Sequence, residues 1–261
     1  MLEKFFFLIG CTLLCSVSVK TNAQEYKLKH TYKIKSCQEC SSNFEMSGLA
    51  LYEDYVLMLP QHENAIYYAK KSELLSQSVN SSPLKKIPFE FENNVVQNDG
   101  WEAITIRKSS SDSVFMYLAL EKCGGQHSCI YYSKLASSKQ KNVPFQINPV
   151  KKFGEDNPGL QNLSYEAITW IEYPEQDLSG LLLLPEKISH EKLHPIFIRG
   201  NGEYIKVTSS SGMEYLRISD MAPVTPMSNK SYIAVSFCWK GANKAFKHAD
   251  DWCFEKHDKW E

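Results

Sequence analysis

Hydrophobic positions along this chain fall in short runs rather than in long helical stripes. The runs are rich in β-branched and aromatic residues and are separated by Asn, Ser, Gly and Pro, the pattern of β-strands joined by turns. Examples are Tyr55–Leu59, Ala65–Ala69, Val114–Leu120, Cys129–Tyr132, Leu181–Leu184, Pro195–Ile198 and Tyr232–Phe237. The segment 242–256 is the least strand-like part. The pattern therefore predicts an all-β fold: a sandwich, a barrel or a propeller.

One phrase recurs four times and favours a repeat architecture. Each copy places a carboxylate just before or within an apolar strand, and the four carboxylates are Glu45, Glu102, Glu166 and Asp220. They lie 57, 64 and 54 residues apart (102 − 45, 166 − 102 and 220 − 166). The second and third copies agree best and the fourth is the loosest.

The sequence after each phrase repeats as well. A second apolar strand ends in a polar pair, a third carries paired aromatic or apolar residues, and a fourth closes the unit. The polar pairs are Gln61-His62, Glu121-Lys122, Glu186-Lys187 and, in the loosest copy, Trp239-Lys240. The third-strand pairs Tyr67-Tyr68 and Tyr131-Tyr132 are predicted to lie in the core.

Four strands per repeat form the blade of a β-propeller. We therefore predict an all-β β-propeller with four visible blades, in which insertions at 70–100 or 136–160 leave room for a fifth. The last unit has no obvious fourth strand, whereas the segment Tyr26–Lys35 alternates polar and apolar residues. This N-terminal strand is predicted to close the ring, which would remove an exposed sheet edge.

The first residues have the layout of a secretory signal peptide. Lys4 precedes an apolar run, 5–15, that is too short to span a bilayer as a helix, and Ala23 offers a small residue for cleavage. We predict a signal peptide at 1–23 and a single β-propeller domain at 24–261, in a secreted or periplasmic protein. The alternatives are a buried N-terminal strand or helix, and a lipoprotein acylated at Cys11.

Six cysteines follow the predicted signal peptide: Cys37, Cys40, Cys123, Cys129, Cys238 and Cys253. An even number in an exported chain indicates disulfides, and among the fifteen pairings the local one, 37–40, 123–129 and 238–253, is the simplest. A zinc site at Cys37 and Cys40 is disfavoured because the sequence has no second CxxC pair. A redox function for the same motif is disfavoured because no helical pattern follows it.

The charges of the chain nearly cancel, with 29 basic and 30 acidic residues. Such a chain has no broad basic field to attract nucleic acid or an anionic membrane. A strongly anionic ligand would need a local basic cluster or a bound metal. We expect a monomer with no nucleic-acid partner and no transmembrane segment.

Four motifs occur in a recognisable order: SGLA at 47–50, WEAIT…YLALEK from Trp101, YEAITW…LLLLPEK from Tyr165, and ISDM at 218–221. Together they resemble the phytase-like and SdiA-regulated β-propeller family, over roughly residues 44 to 240. The chain departs from the family at Ala103 and Ala167, where the family has glycine after the acid.

The resemblance implies an exported propeller, in a family where some relatives bind calcium and some are described with phytase or esterase-like activity. It also implies which acids line the channel. These are Glu45, Glu102, Glu166 and Asp220 on the first strands, with Glu121 and Glu186 on the second strands.

Carboxylates gathered at the mouth of one channel would repel one another. A hard cation relieves that repulsion, and Ca²⁺ takes about 6–8 oxygen ligands. The same six acids are therefore candidate calcium ligands. The competing interpretation is structural. Each acid would accept hydrogen bonds from backbone N–H groups of the next blade, or be neutralised by an adjacent Lys122, Lys187, Lys240 or His62.

Two functions are compatible with such a channel. The favoured hypothesis is a non-catalytic exported propeller that binds a small molecule or a protein at the channel mouth, with calcium in a structural role. The alternative is a calcium-dependent, phytase-like or esterase-like hydrolase of phosphoric or carboxylic esters. The sequence contains no G-x-S-x-G or P-loop motif, and no histidine recurs beside Ser47, Ser164 and Ser219. Catalytic residues are therefore left unassigned.

Overall fold

The fold is described from a computed structural model of the chain. It describes residues 45–75, 84–93, 100–109, 112–123, 127–138, 143–154, 165–173, 178–185, 195–207, 218–223 and 232–236. All sheets in these ranges are antiparallel, and the one helix in them has five residues, which confirms the predicted all-β class. None of the sheets closes on itself. Within the same ranges, no helix has the length and apolar character needed to cross a membrane.

The first sheet has four strands in chain order, each hydrogen-bonded to the next. They are β1 (Met46–Tyr52), β2 (Tyr55–Pro60), β3 (Ala65–Lys70) and β4 (Lys85–Pro88), with helix α1 (Lys71–Leu75) after β3. The aromatic pair Tyr67-Tyr68 of β3 is buried, as predicted. Strand β1 differs, because Leu49 and Leu51 are 50% and 59% exposed.

The second sheet contains β5 (Trp101–Lys108), β6 (Val114–Cys123), β7 (His127–Ser137), β8 (Phe145–Ile147) and β9 (Lys151–Lys152). Both β8 and β9 pair with β7, so together they form an interrupted fourth strand. Pro149 lies in the interruption, and a proline has no N–H to continue the ladder. Of the predicted core pair on β7, Tyr131 is buried and Tyr132 is half-buried.

The third sheet repeats the pattern of the first, and the fourth sheet has two strands among the described residues. The third contains β10 (Tyr165–Tyr173), β11 (Leu178–Pro185), β12 (Ile196–Arg199) and β13 (Tyr204–Lys206). The fourth contains β14 (Ile218–Pro223) and β15 (Tyr232–Ser236). The predicted unit of four consecutive strands is therefore found in three successive sheets.

The first strands of the four sheets lie side by side in chain order. Strand β1 contacts β5, β5 contacts β10, and β10 contacts β14. The first contact is close: a Cβ added to Gly48 would lie 2.9 Å from Cγ2 of Ile104. Apolar clusters fill the spaces between sheets, one including Leu59 and Leu118, the next including Ala103 and Leu183. Burial of these faces between sheets is what sets the positions of the first strands.

A disulfide joins Cys123 at the end of β6 to Cys129 on β7, with 5.7 Å between the Cα atoms. This confirms the local pairing predicted for the second repeat. The other four cysteines, Cys37, Cys40, Cys238 and Cys253, lie outside the described residues. The predicted signal peptide at 1–23, the lipidation alternative at Cys11 and the closing strand at Tyr26–Lys35 lie outside them too.

Candidate functional site

Each of the four sheets begins with the same irregularity. The register between the first and second strands shifts by one residue, between Met46 and Gly48, Trp101 and Ala103, Tyr165 and Ala167, and Ile218 and Asp220. The residues at these four β-bulges are Ser47, Glu102, Glu166 and Ser219. A bulge re-aims a side chain and is common beside functional sites, so this position defines the candidate site.

The register corrects part of the sequence alignment. Glu102 and Glu166 are equivalent, as predicted. However, the equivalent residue of the first sheet is Ser47, two residues after Glu45, and that of the fourth is Ser219, one residue before Asp220. The short phrases allowed either alignment, and only the strand pairing decides between them. The four predicted acids are therefore not at equivalent positions of the register: the bulge position carries two glutamates and two serines.

Glu102 is the buried member of the site, with only 6% of its surface exposed. Burial is the main cause that raises the pKa of its carboxyl group to about 8, and the negative charges of Glu166 and Glu121 raise it further. A hydrogen bond between the carboxyl groups of Glu102 and Glu166 acts in the same direction. Two carboxyl groups can share a hydrogen bond only when one of them is protonated, so the pair holds a proton at neutral pH.

Among the described residues, Gln61 supplies the contact that favours the ionised form of Glu102. Its side-chain Nε2 donates a hydrogen bond to Oε1 of Glu102 at 3.3 Å, and this contact lowers the pKa. The backbone of Gln61 is held from both sides, since its N–H donates to the carbonyl of Glu45 and its carbonyl accepts from the N–H of Trp101. The amide therefore ties the first sheet to the start of the second.

Glu121 occupies the position in the second sheet that Gln61 occupies in the first, directly after the residue that pairs with the start of the first strand. The predicted equivalence of these two polar residues is confirmed. The side chain of Glu121 is 32% exposed and lies 3.6 Å from Nζ of Lys122, so this acid is partly neutralised by its neighbour.

Gly100 leaves the space in which Glu102 and Glu121 meet. A Cβ added there would lie 3.2 Å from Oε1 of Glu102 and 3.2 Å from Oε2 of Glu121. The residue has φ +117°, which side chains rarely adopt. Gly100 was not among the predicted site residues, although a glycine directly before the Trp-Glu phrase is a signal for a special backbone conformation.

Of the remaining predicted site residues, Glu45 lies apart from this group, and the side chains of Asp220 and Glu186 are outside the described part of the structure. Glu45 is exposed and pairs with His62 at 3.7 Å, with the two side chains 69% and 55% exposed. Asp220 lies on β14, one residue past the bulge. Glu186 lies outside the described residues. The structure thus brings together three of the six predicted acids: Glu102, Glu121 and Glu166.

The donor chemistry of these three carboxylates suits Ca²⁺, a hard cation that prefers oxygen ligands. Two of the carboxylates approach each other beside Gly100, where a built Cβ would lie 3.2 Å from an oxygen of each. Within the described ranges, however, no group of three or more His, Cys, Asp or Glu side chains is already gathered as a metal site. Binding of Ca²⁺ would therefore require the Glu102–Glu166 proton to leave and the carboxylates to close around the ion.

Of the two serines at the bulges, only Ser47 has a described side chain. Oγ of Ser47 is buried and has no hydrogen-bond partner, so no base is in place to take its proton. Comparison with known proteins adds no assignment: neither a protein-family model nor a curated protein matches the chain.

Proposed function

We propose that the four sheets are the blades of a β-propeller and that the protein is a non-catalytic, exported binding protein. The ligand would lie at the acidic end of the first strands, where Glu102, Glu121 and Glu166 converge, with calcium stabilising the arrangement. Support for the propeller comes from the chain order of the sheets and from the contact of each first strand with the next. The ligand is a small molecule or a protein that presents a cationic group, or an anionic group held through calcium.

The observation that carries this proposal is the buried carboxyl group of Glu102, which lies beside the carboxyl groups of Glu166 and Glu121. A buried carboxyl pair beside a third carboxylate binds a positive charge at a cost that depends on pH, because the cation must displace the proton. Above a pH of about 8 the proton is lost from Glu102, and the site then carries its full negative charge. Cation binding is expected to strengthen as pH rises through this range.

Thermal unfolding with and without calcium tests the proposal. At pH 8.5, saturating CaCl₂ should raise the Tm by about 5 °C or more, and a chelator should reverse the shift. The shift should be smaller at pH 5.5. The variants Glu121→Gln and Glu166→Gln should remove most of it.

Glu45→Gln is the matched control, because Glu45 is a glutamate of the same repeated phrase that lies exposed and apart from the three acids. It should keep the full calcium shift. Equal calcium shifts in the wild type and in Glu121→Gln and Glu166→Gln would contradict the proposal, as would a shift that disappears only in Glu45→Gln.

A second candidate function rests on the raised pKa of Glu102. With a pKa of about 8 the group is protonated at neutral pH, which is the state that a general acid needs to protonate a leaving group. A calcium-dependent hydrolase of phosphoric or carboxylic esters would use it in this way. Phytate, aryl phosphates and aryl esters in excess calcium are the substrates to assay. Turnover that Glu102→Gln abolishes and Glu45→Gln retains would establish this function over simple binding.

A further inference from the structure

A cleft opens between the first and second sheets at the opposite end of the first strands from the acids. Its volume is about 820 Å³, within the range of roughly 300–1,000 Å³ typical of small-ligand pockets. Along β5, Glu102 lies at the acidic end and Lys108 at the cleft, a separation of about 20 Å at the rise of a strand. The cleft is thus separate from the carboxyl site.

The two walls of the cleft come from different sheets. The end of β1 and the turn after it form one wall, with Leu51 and Glu53. The end of β5, the start of β6 and the end of β7 form the other, with Ile106, Val114 and Lys134. The ligand of such a cleft contacts both sheets at once.

Part of the cleft is apolar and open to solvent. Leu51 is 59% exposed, and Ile106 and Val114 are half-buried on the facing wall. An apolar group placed between these side chains would remove all three from water, which is favourable in proportion to the area covered. This part of the cleft therefore selects a ligand with an apolar body.

The charges of the cleft lie on opposite walls. Lys108 and Asp112 neutralise each other, with Nζ of Lys108 3.1 Å from Oδ1 of Asp112. Glu53 on the first-sheet wall and Lys134 on the second-sheet wall form no ion pair with another residue of the described ranges. An acid on one side and a base on the other complement a ligand that is positive at one end and negative at the other.

We propose that this cleft binds a short apolar peptide with free termini. The peptide ammonium group would face Glu53, the terminal carboxylate would face Lys134, and an apolar side chain would lie between Leu51, Ile106 and Val114. The proposal does not depend on the carboxyl site, since it uses none of its residues.

Calorimetric titration of the purified protein with the tripeptide Ala-Leu-Ala tests the assignment. The peptide with both termini free should bind. Acetylation of its N-terminus should weaken binding about tenfold by removing the charge opposite Glu53, and amidation of its C-terminus should do the same by removing the charge opposite Lys134. Free leucine distinguishes an amino-acid site from a peptide site: a peptide site binds it clearly more weakly than the tripeptide.

Variants assign each end of the ligand. Lys134→Ala should lower the affinity for the peptide with free termini about tenfold but leave the affinity for the amidated peptide unchanged. Glu53→Ala should likewise lower the affinity for the peptide with free termini but leave that for the acetylated peptide unchanged. Lys85→Ala and Glu90→Gln are matched controls, because both residues are exposed and lie outside the cleft. Absence of peptide binding, tighter binding of free leucine than of the peptide, or equal weakening by the cleft and control variants would overturn the proposal.

Discussion

Glu102→Gln isolates the effect of the buried carboxyl group on stability. Glutamine has nearly the same shape as glutamate and is neutral at every pH, so it resembles the protonated acid that the folded protein favours. The carboxyl group has a pKa of about 8 in the folded protein against an ordinary value of 4.5. Because the folded state retains the proton while the unfolded chain releases it, the free energy of unfolding falls as pH rises between these two values.

The magnitude follows from the difference in pKa. Each pH unit between about 5 and 8 should lower the free energy of unfolding of the wild type by up to about 1.4 kcal/mol, and the total loss should reach about 5 kcal/mol at most. Below pH 4.5 both states hold the proton, and above pH 8 both have lost it, so the curve is flat outside this window. Glu102→Gln should lack this component and become more stable than the wild type at pH 8.5.

Urea denaturation followed by tryptophan fluorescence, repeated at half-unit steps from pH 5 to pH 9, measures the effect. The quantity to compare is the difference in free energy of unfolding between the variant and the wild type at each pH, since other titrating groups cancel in it. The difference should grow across the window for Glu102→Gln, and by more than it changes for the exposed control Glu45→Gln. A difference for Glu102→Gln that does not change with pH would refute the buried, proton-sharing carboxyl pair.

Three further changes probe the contacts that hold the sheets. Arg107→Lys should cost about 1 kcal/mol of stability, because the Arg107 guanidinium stacks 3.9 Å over the ring of Trp170 across the second and third sheets, and lysine cannot form that planar stack. Gly100→Ala should cost about 2 kcal/mol or more, because its φ is +117° and its Cβ would crowd two carboxylates. Replacing both Cys123 and Cys129 with serine should cost about 2 kcal/mol through the loss of a short closed loop. Urea denaturation at pH 7 measures all three, and losses below about 0.5 kcal/mol would contradict the corresponding contact.

The strands could be predicted from the sequence because their apolar runs are short and bounded by turn residues. The runs at 65–69, 114–120 and 181–184 lie within β3, β6 and β11. The order of strands within a repeat could also be predicted, since the same succession recurs along the chain. The interruption between β8 and β9 was not expected, although Pro149 marks it.

The equivalence of the site residues could not be predicted, and the β-bulge is the physical reason. A regular strand alternates its two faces, so the face of each residue follows from its neighbours. At the bulge this rule fails: Trp101, Glu102, Ala103 and Ile104 are four consecutive buried residues. Sequence alone could not show whether Glu45 or Ser47 is equivalent to Glu102. At a bulge, the position of a residue in the phrase does not determine the direction of its side chain.

The same register explains why the acidic group forms where it does. After the second strand of the first sheet, Gln61 carries an amide, and that amide donates a hydrogen bond to Glu102 across the sheet boundary. After the second strand of the second sheet, the equivalent residue is Glu121, and a carboxylate, unlike an amide, has no hydrogen to donate. Between the first and second sheets, the hydrogen comes from the Gln61 amide. Between the second and third sheets, Glu121 cannot supply it, so a proton or a bound cation must take its place. The proton shared by Glu102 and Glu166 is one solution, and a bound cation is the other. The site is thus expected to exchange the proton for a cation as the pH and the cation concentration rise.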